Sequence, residues 1–209
     1  GSAADAEAVR RFDGLFNRWY LDPLFRGRYP DDVIRDRVRR GHLPGTTLPF
    51  VEPGDMETIA RPLDFLGVNY YSRVIVKAGP GGDPVAVPGA PPEELTDMGW
   101  EVFPEGLDSL LIRLHEEYAP REILITENGA AFTDPRDEFG RCRDTRRIDY
   151  LRGHMAAAGR AIAAGVPLAG YFVWSLFDNF EWAHGYARRF GIFHVDYETQ
   201  KRTPKESAF

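Results

Sequence analysis

The sequence is short of cysteine, of long apolar runs and of excess positive charge, and each shortage removes a class of protein. Its 209 residues hold one cysteine, Cys142, so no intramolecular disulfide framework can form and a reducing compartment, the cytoplasm, is expected. Arg141 and Arg143 flank that thiol, but nothing marks it as catalytic, and a structural or incidental role is the reading. No apolar run approaches the roughly 20 residues that span a bilayer, so no membrane is expected. The start of the chain does not read as a secretory signal; Gly1-Ser2 reads as a protease-cleavage scar that would hide a native N-terminus. A formal net charge of −6 offers no basic footprint for nucleic acid. Arg35, Arg37, Arg39 and Arg40 lie among acidic residues and read as a solvated helix face. His42, His115, His154, His184 and His194 show no metal-ligand spacing, so neither metal nor organic cofactor is implied.

What is present is an ordinary globular composition, 43% apolar and 28% charged, in a length that allows one sizeable core. The aromatic share of 13% is generous and concentrates near Tyr70, Trp174 and Trp182. Aromatic faces serve sugar sites and packed cores alike, and composition does not choose between them.

Val9, Phe12, Leu15, Phe16, Trp19 and Tyr20 recur at helical spacing, and Asp22-Pro23 is expected to stop that helix. A polar, Arg-rich stretch to about Arg40 and an irregular segment through Gly54 follow. Phe65 to Tyr71 reads as a short buried strand. The Pro/Gly-rich segment from Gly79 to Pro92 reads as a long loop, of the kind that is functional or disordered. Leu107, Leu110, Leu111, Leu114 and Tyr118 give a second amphipathic helix, ended by Pro120, before the apolar strand Ile123 to Thr126. A polar loop runs from Asp134 to Arg147. A third helix, from Thr145 to Ala164, should bury Ile148, Leu151, Met155, Ala158 and Ile162, with Gly165-Val166-Pro167 closing it. Gly170 to Phe177 is the third strand.

Apolar strands alternating with helices indicate parallel βαβ units, in either a doubly wound sheet or a (β/α)8 barrel. No Gly-rich phosphate loop follows a strand, which weakens the nucleotide-binding alternative. Three visible strands are too few for a closed barrel. In each unit the unusual polar and aromatic residues fall at the strand's C-terminal end: Asn69 and Tyr71, then Glu127-Asn128, then Trp174 with Asp178, Glu181 and Trp182 beyond. Barrel enzymes build their sites on that face. Glu127 after an apolar strand is either a functional carboxylate or the start of a loop, and position leaves both open. Taken alone, Tyr71 reads as a core tyrosine with a satisfied hydroxyl, and Trp174 and Trp182 can be ordinary packing.

Ile125-Thr126-Glu127-Asn128-Gly129 resembles the nucleophile signature of family 1 glycoside hydrolases, and Gly170 to Trp182 resembles that family's last barrel strand and sugar-binding loop. Arg189-Phe190-Gly191-Ile192, Arg202-Thr203-Pro204-Lys205, Phe65 to Tyr71, Gly99-Trp100-Glu101-Val102 and Asn17-Arg18-Trp19 with Asp22-Pro23-Leu24 match in order and spacing. The resemblance implies that Glu127 attacks the anomeric carbon of a β-glucoside to form a covalent glycosyl-enzyme. It implies that Tyr71 hydrogen-bonds Glu127 and that Asn69 supports the same site. Glu181 would accept from two sugar hydroxyls, Trp182 would donate its indole N–H, Trp174 would floor the ring and Phe190 would wall it. Intact Glu181 and Trp182 imply a neutral β-D-glucoside or β-D-galactoside rather than a phosphorylated sugar.

The family's acid/base glutamate lies in an Asn-Glu-Pro motif, which does not occur here; Val51-Glu52-Pro53 lacks the Asn and is rejected. In family terms the chain begins after the fifth strand, supplies strands six to eight of the TIM barrel and stops at Phe209 short of the usual end. All of it would belong to one catalytic domain that is incomplete as a single chain, with open edges and an exposed inner face. A complementary N-terminal part is the implied partner, and the chain alone should be inactive. Two other readings stay open: an inactive fragment serving as a folding or assembly module, and a free-standing carbohydrate-binding module.

Overall fold

The computed structural model describes residues 1–133 and 135–209; Asp134, where the polar loop was expected to open, lies outside the described residues. The helices are α1 (Ala3–Asp13), α2 (Trp19–Arg26), α3 (Asp31–Arg39), α4 (Asp55–Ile59), α5 (Glu105–Tyr118) and α6 (Thr145–Ala163). The strands are β1 (Leu66–Asn69), β2 (Ile75–Ala78), β3 (Pro84–Val87), β4 (Ile123–Asn128), β5 (Leu168–Val173), β6 (Phe193–Val195) and β7 (Arg202–Pro204). Contacts divide the chain into two compact units, Gly1–Leu63 with Val74–Gly89, and Asp64–Arg73 with Ala90–Phe209.

In the first unit, Ser2 and Asp5 form a capping box that starts α1: the Ser2 hydroxyl accepts from the Asp5 N–H at 3.1 Å, and Asp5 accepts from the Ser2 N–H at 2.8 Å. A π-helical turn, Gly14–Arg18, joins α1 to α2. Asp22-Pro23 does not stop the helix. Pro23 sits one turn inside α2, where its fixed φ fits and a single ladder bond is forfeited. The stop is Gly27, at a φ of 64° that a side chain would resist. The Arg-rich stretch winds into α3. Its acidic face is clasped by Arg10 and Arg18, which bind Asp32 and Asp36, while Arg35, Arg39 and Arg40 remain exposed.

The Gly79–Pro92 segment is not a plain loop. Its first half closes an antiparallel hairpin, β2 against β3, with Ile75 opposite Val87 and Ala78 opposite Pro84. Pro84 sits at the hairpin's closing pair, and Asp5 of α1 accepts from the Ala78 N–H at 3.0 Å. Alternation is too short in Pro84–Val87 to register as a strand in a Pro/Gly-rich string.

The second unit is built on a parallel sheet in the order β1-β4-β5. Leu66 pairs with Ile123 and Val68 with Ile125, while Ile123 also pairs with Leu168. Helices α5 and α6 pack on each other. Leu107, Leu111, Leu114 and Tyr118 are buried on α5, and Val68, Ile123 and Ile125 are buried in the sheet. The strand positions between them stay open: Gly67 and Asn69 are exposed, and Phe172 is 57% exposed. The first strand is therefore buried on one face only, with Phe65 50% exposed, rather than throughout as its apolar run suggested.

The buried stripe of α6 is also rotated from the expected one. Leu151 and Ala158 are inside, but Met155 and Ile162 are 49% and 54% exposed. Tyr150, His154, Ala157 and Ala161 take the inner positions instead. The small alanines lie inside, and the bulkier Met and Ile are turned outward. A further antiparallel hairpin, β6 with β7, went unseen behind three-residue strands.

Candidate active site

The site grows from the C-terminal ends of β1, β4 and β5. Asn69 lies opposite Glu127 where the β1–β4 register shifts, and just past the end of β1 the Tyr70 N–H donates to the Glu127 carbonyl at 3.0 Å. The Tyr71 hydroxyl donates a hydrogen bond to Glu127 Oε2. Burial pushes the Tyr71 phenol up, and its bond to Glu127 and the charges of Glu127 and Glu181 push it further. Tyr71 is thus a committed donor throughout the physiological range. The Asn69 carbonyl oxygen accepts from Thr126 Oγ1 at 2.7 Å, so Asn69 grips the residue before the carboxylate rather than the carboxylate itself.

Trp174 is brought alongside by the backbone. Its N–H donates to the Asn128 carbonyl at 2.9 Å. A Cβ on Gly129 would stand 1.7 Å from the Trp174 carbonyl oxygen, so only glycine allows β4 and β5 to converge this closely. Phe190 is 1% exposed and meets Tyr71 edge-on, with ring centroids 6.1 Å apart. Trp100 completes this aromatic wall, 5.2 Å from Tyr71 and 6.3 Å from Phe190.

Glu181 is 9% exposed, and its Oε2 is buried with no hydrogen-bond partner. A buried carboxylate oxygen without a donor costs free energy unless a ligand supplies one. Trp182, by contrast, is 82% exposed and stands outside the cluster. The loop bearing both is anchored by Asp178, which accepts from Arg189 at 2.6 Å, Lys205 at 3.0 Å and the Gly191 N–H at 3.1 Å.

The structure therefore brings Glu127, Tyr71, Phe190 and Trp174 together, brings the charge of Glu181 to bear on Tyr71, and leaves Trp182 apart. Sequence reasoning gave no role to Trp100, although Gly99-Trp100-Glu101-Val102 stood among the matching strings. It also passed over a buried network beneath the site. Asn128 Nδ2 donates to the Tyr70 carbonyl at 2.7 Å and to the Tyr150 hydroxyl at 3.1 Å. Tyr171 donates to Asn128 Oδ1, and Tyr150 donates to the Tyr71 carbonyl at 3.1 Å. The signal was faint: Tyr150 lay off the expected α6 face, and Asn128, though noted at the strand end, was given no role. Among the described residues, no group of three or more His, Cys, Asp or Glu is disposed to hold a metal ion.

A parallel βαβ sheet with a tyrosine-bound carboxylate at its C-terminal edge, amid aromatic side chains and a second buried carboxylate, defines a fragment of an α/β enzyme domain. The glycosyl hydrolase family 1 model matches residues 1–209, and the chain belongs to that family as a portion of one of its members. It is 49% identical over 202 residues to a 1,4-beta-D-glucan glucohydrolase of Thermotoga neapolitana, covering 95% of this chain and 44% of that protein. It is 48% identical over 209 residues to beta-glucosidase A of Thermotoga maritima, covering 98% and 45%. Among solved structures, the family 1 beta-glucosidase of Exiguobacterium antarcticum superposes with a TM-score of 0.90 at 41% identity, over 99% of this chain and 45% of that one. The Thermotoga maritima beta-glucosidase in complex with castanospermine superposes with a TM-score of 0.87 at 47% identity, over 99% and 45%. The chain thus spans less than half the length of the relatives it matches. It is a partial α/β element of a TIM-barrel glycosidase family. Among the described residues, no helix is long and apolar enough to cross a membrane.

Proposed function

We propose that this chain is the nucleophile-bearing part of a retaining β-glucosidase, supplying strands six to eight of one barrel domain through β1, β4 and β5. The observation that carries the reading is the Tyr71–Glu127 hydrogen bond at the C-terminal ends of two paired parallel strands. In the reaction a Glu127 oxygen forms a bond to the anomeric carbon as the bond to the aglycone oxygen breaks. An acid on the complementary part, about 5–5.5 Å from Glu127, gives its proton to the leaving oxygen. Water then takes the sugar from Glu127, its proton passing to that same residue.

Tyr71 directs the carboxylate, with Asn69 steadying β4 through Thr126. Trp174 floors the sugar, Phe190 and Trp100 wall the site, and Trp182 offers its indole N–H from the loop. The unpartnered oxygen of Glu181 suits sugar hydroxyls, whose donors would satisfy it. Its charge would repel a phosphate, which favours a neutral β-D-glucoside or β-D-galactoside. No cofactor enters these steps. The single buried Cys142 favours the cytoplasm.

The exposed inner positions Gly67, Asn69 and Phe172 favour a chain that is completed by an N-terminal part and inactive without it. Mixing the chain with that part should generate hydrolysis of an aryl β-glucoside, and Glu127→Gln should abolish it. Retained turnover in Glu127→Gln, equal turnover by the chain alone, or a strong preference for a phosphorylated glycoside would overturn the reading.

A further inference from the structure

The site's two key side chains hang from different strands, so their meeting depends on what fixes Tyr71, which lies beyond the end of β1, against β4. One side chain reaches across that gap from below. Tyr150 of α6 is 1% exposed and its hydroxyl is fully used: it donates to the Tyr71 carbonyl at 3.1 Å and receives Asn128 Nδ2 at 3.1 Å. Asn128 is the residue after Glu127, is 0% exposed, and also donates to the Tyr70 carbonyl at 2.7 Å. The Tyr171 hydroxyl fills the Asn128 carbonyl oxygen from β5. The ring of Tyr150 is set in turn by His154, stacked on it at 3.9 Å and bonded to its carbonyl at 2.8 Å.

Each group in this chain has one geometry open to it. An amide with both ends engaged cannot flip, and a phenol with donor and acceptor both engaged cannot rotate. In a buried, low-dielectric setting such networks resist distortion because any broken member is left unpaired.

We propose that Tyr150 is a positioning residue for the nucleophile, its hydroxyl coupling the Tyr71 backbone to Asn128 so that the Tyr71 phenol is held on Glu127. This rests on Glu127 being the nucleophile. Tyr150→Phe keeps the ring on His154 and removes only the coupling oxygen. Loss of one hydrogen bond of ordinary strength corresponds to about a tenfold fall in kcat/KM.

The split between kcat and KM separates positioning from mere packing. A donor held on the nucleophile counts in the bond-forming step, so its loss should lower kcat with KM little changed. The variants are compared in the completed barrel. Tyr171→Phe removes a bond from the same network that does not touch Tyr71, and serves as the stability control. The expected result is a kcat loss in Tyr150→Phe that Tyr171→Phe does not share. Tyr150→Phe should also add little to the defect of Tyr71→Phe, since both act through one bond. Additive losses, or equal kcat losses in both network variants, would overturn the positioning role. Should Glu127→Gln remain active, the functional reading itself fails, an outcome distinct from either. If Tyr150→Phe does not fold, Asn128→Asp, which keeps the oxygen facing Tyr171 but replaces the amide donor, must lower kcat in the same way for the proposal to stand.

Discussion

Replacing Asp178 with Asn tests the physical basis of the loop that carries Glu181. The Asp178 side chain and that of Lys205 are both 0% exposed and meet at 3.0 Å. Arg189 lies 2.6 Å from the other carboxylate oxygen, and the Gly191 and Val195 N–H groups donate at 3.1 and 3.3 Å. An amide keeps the shape but removes the charge beside a fully buried ammonium, and turns one acceptor into a donor facing other donors. Breaking a buried pair from one side costs about 3–5 kcal/mol. The completed barrel is more than twice this chain's length, so each kcal/mol is worth roughly 1–2 °C there, and the melting temperature should fall by about 5 °C. Lys205→Met should cost less, about 1–3 kcal/mol, because Asp178 keeps Arg189 and both backbone donors. Thermal melting of the completed barrel, followed by circular dichroism, measures both. An Asp178→Asn protein melting within a degree or two of the parent, or a larger loss in Lys205→Met, would refute this account of the cluster.

Gly106→Ala in α5 would set a Cβ 2.1 Å from the Tyr70 hydroxyl, which donates to the Phe103 carbonyl at 2.7 Å. The collision should outweigh alanine's helix preference of about 1 kcal/mol, so the variant should melt lower; a stabilised variant would contradict the packing described. On acidification the first unit should loosen. The hydrogen bond from Arg18, opposed by burial and reinforced by Arg10, holds Asp32 well below the usual carboxylate range, so the unfolded chain takes up that proton first as pH falls. Its contribution is fully present above about pH 4 and lost below, and Asp32→Asn should flatten that part of a stability-against-pH curve.

The βαβ order was legible because each element had a period or a punctuator of its own. Leu107, Leu111 and Leu114 fell on one helical stripe, and Ile123 to Thr126 had no polar interruption. What failed, failed for local reasons. Pro23 looked like a stop because the sequence does not reveal that α2 restarts at Trp19, one turn earlier. Met155 and Ile162 looked buried because hydrophobicity outranked size, whereas the small Ala157 and Ala161 take buried positions on α6. The hairpins β2–β3 and β6–β7 have strands of three or four residues, too short for alternation to rise above chance. Within the site, the strand-end places of Glu127 and Tyr71 were legible, but their pairing came only as what the family resemblance implied. Trp100 was not legible, because its contact with Tyr71 crosses a stretch of chain without periodic pattern.

The division of labour inside the barrel follows from where the supporting bonds lie. Among the described residues, the side-chain bond on Glu127 comes from its own unit, from Tyr71 at the end of β1, which Tyr150 of α6 and Asn128 of β4 hold in place. On the proposed reading, in which Glu127 is the nucleophile, its donor is therefore set by this chain, apart from the part that would bring the acid. The two carboxyl groups of a retaining glycosidase must also differ, one ionised while the other holds a proton. Housing the nucleophile's donors in a separate, self-satisfied network allows its environment to be fixed independently of the acid's. The unpartnered oxygen of Glu181 is the counterpart of that rigidity, an open acceptor that the sugar of the proposed reaction would fill.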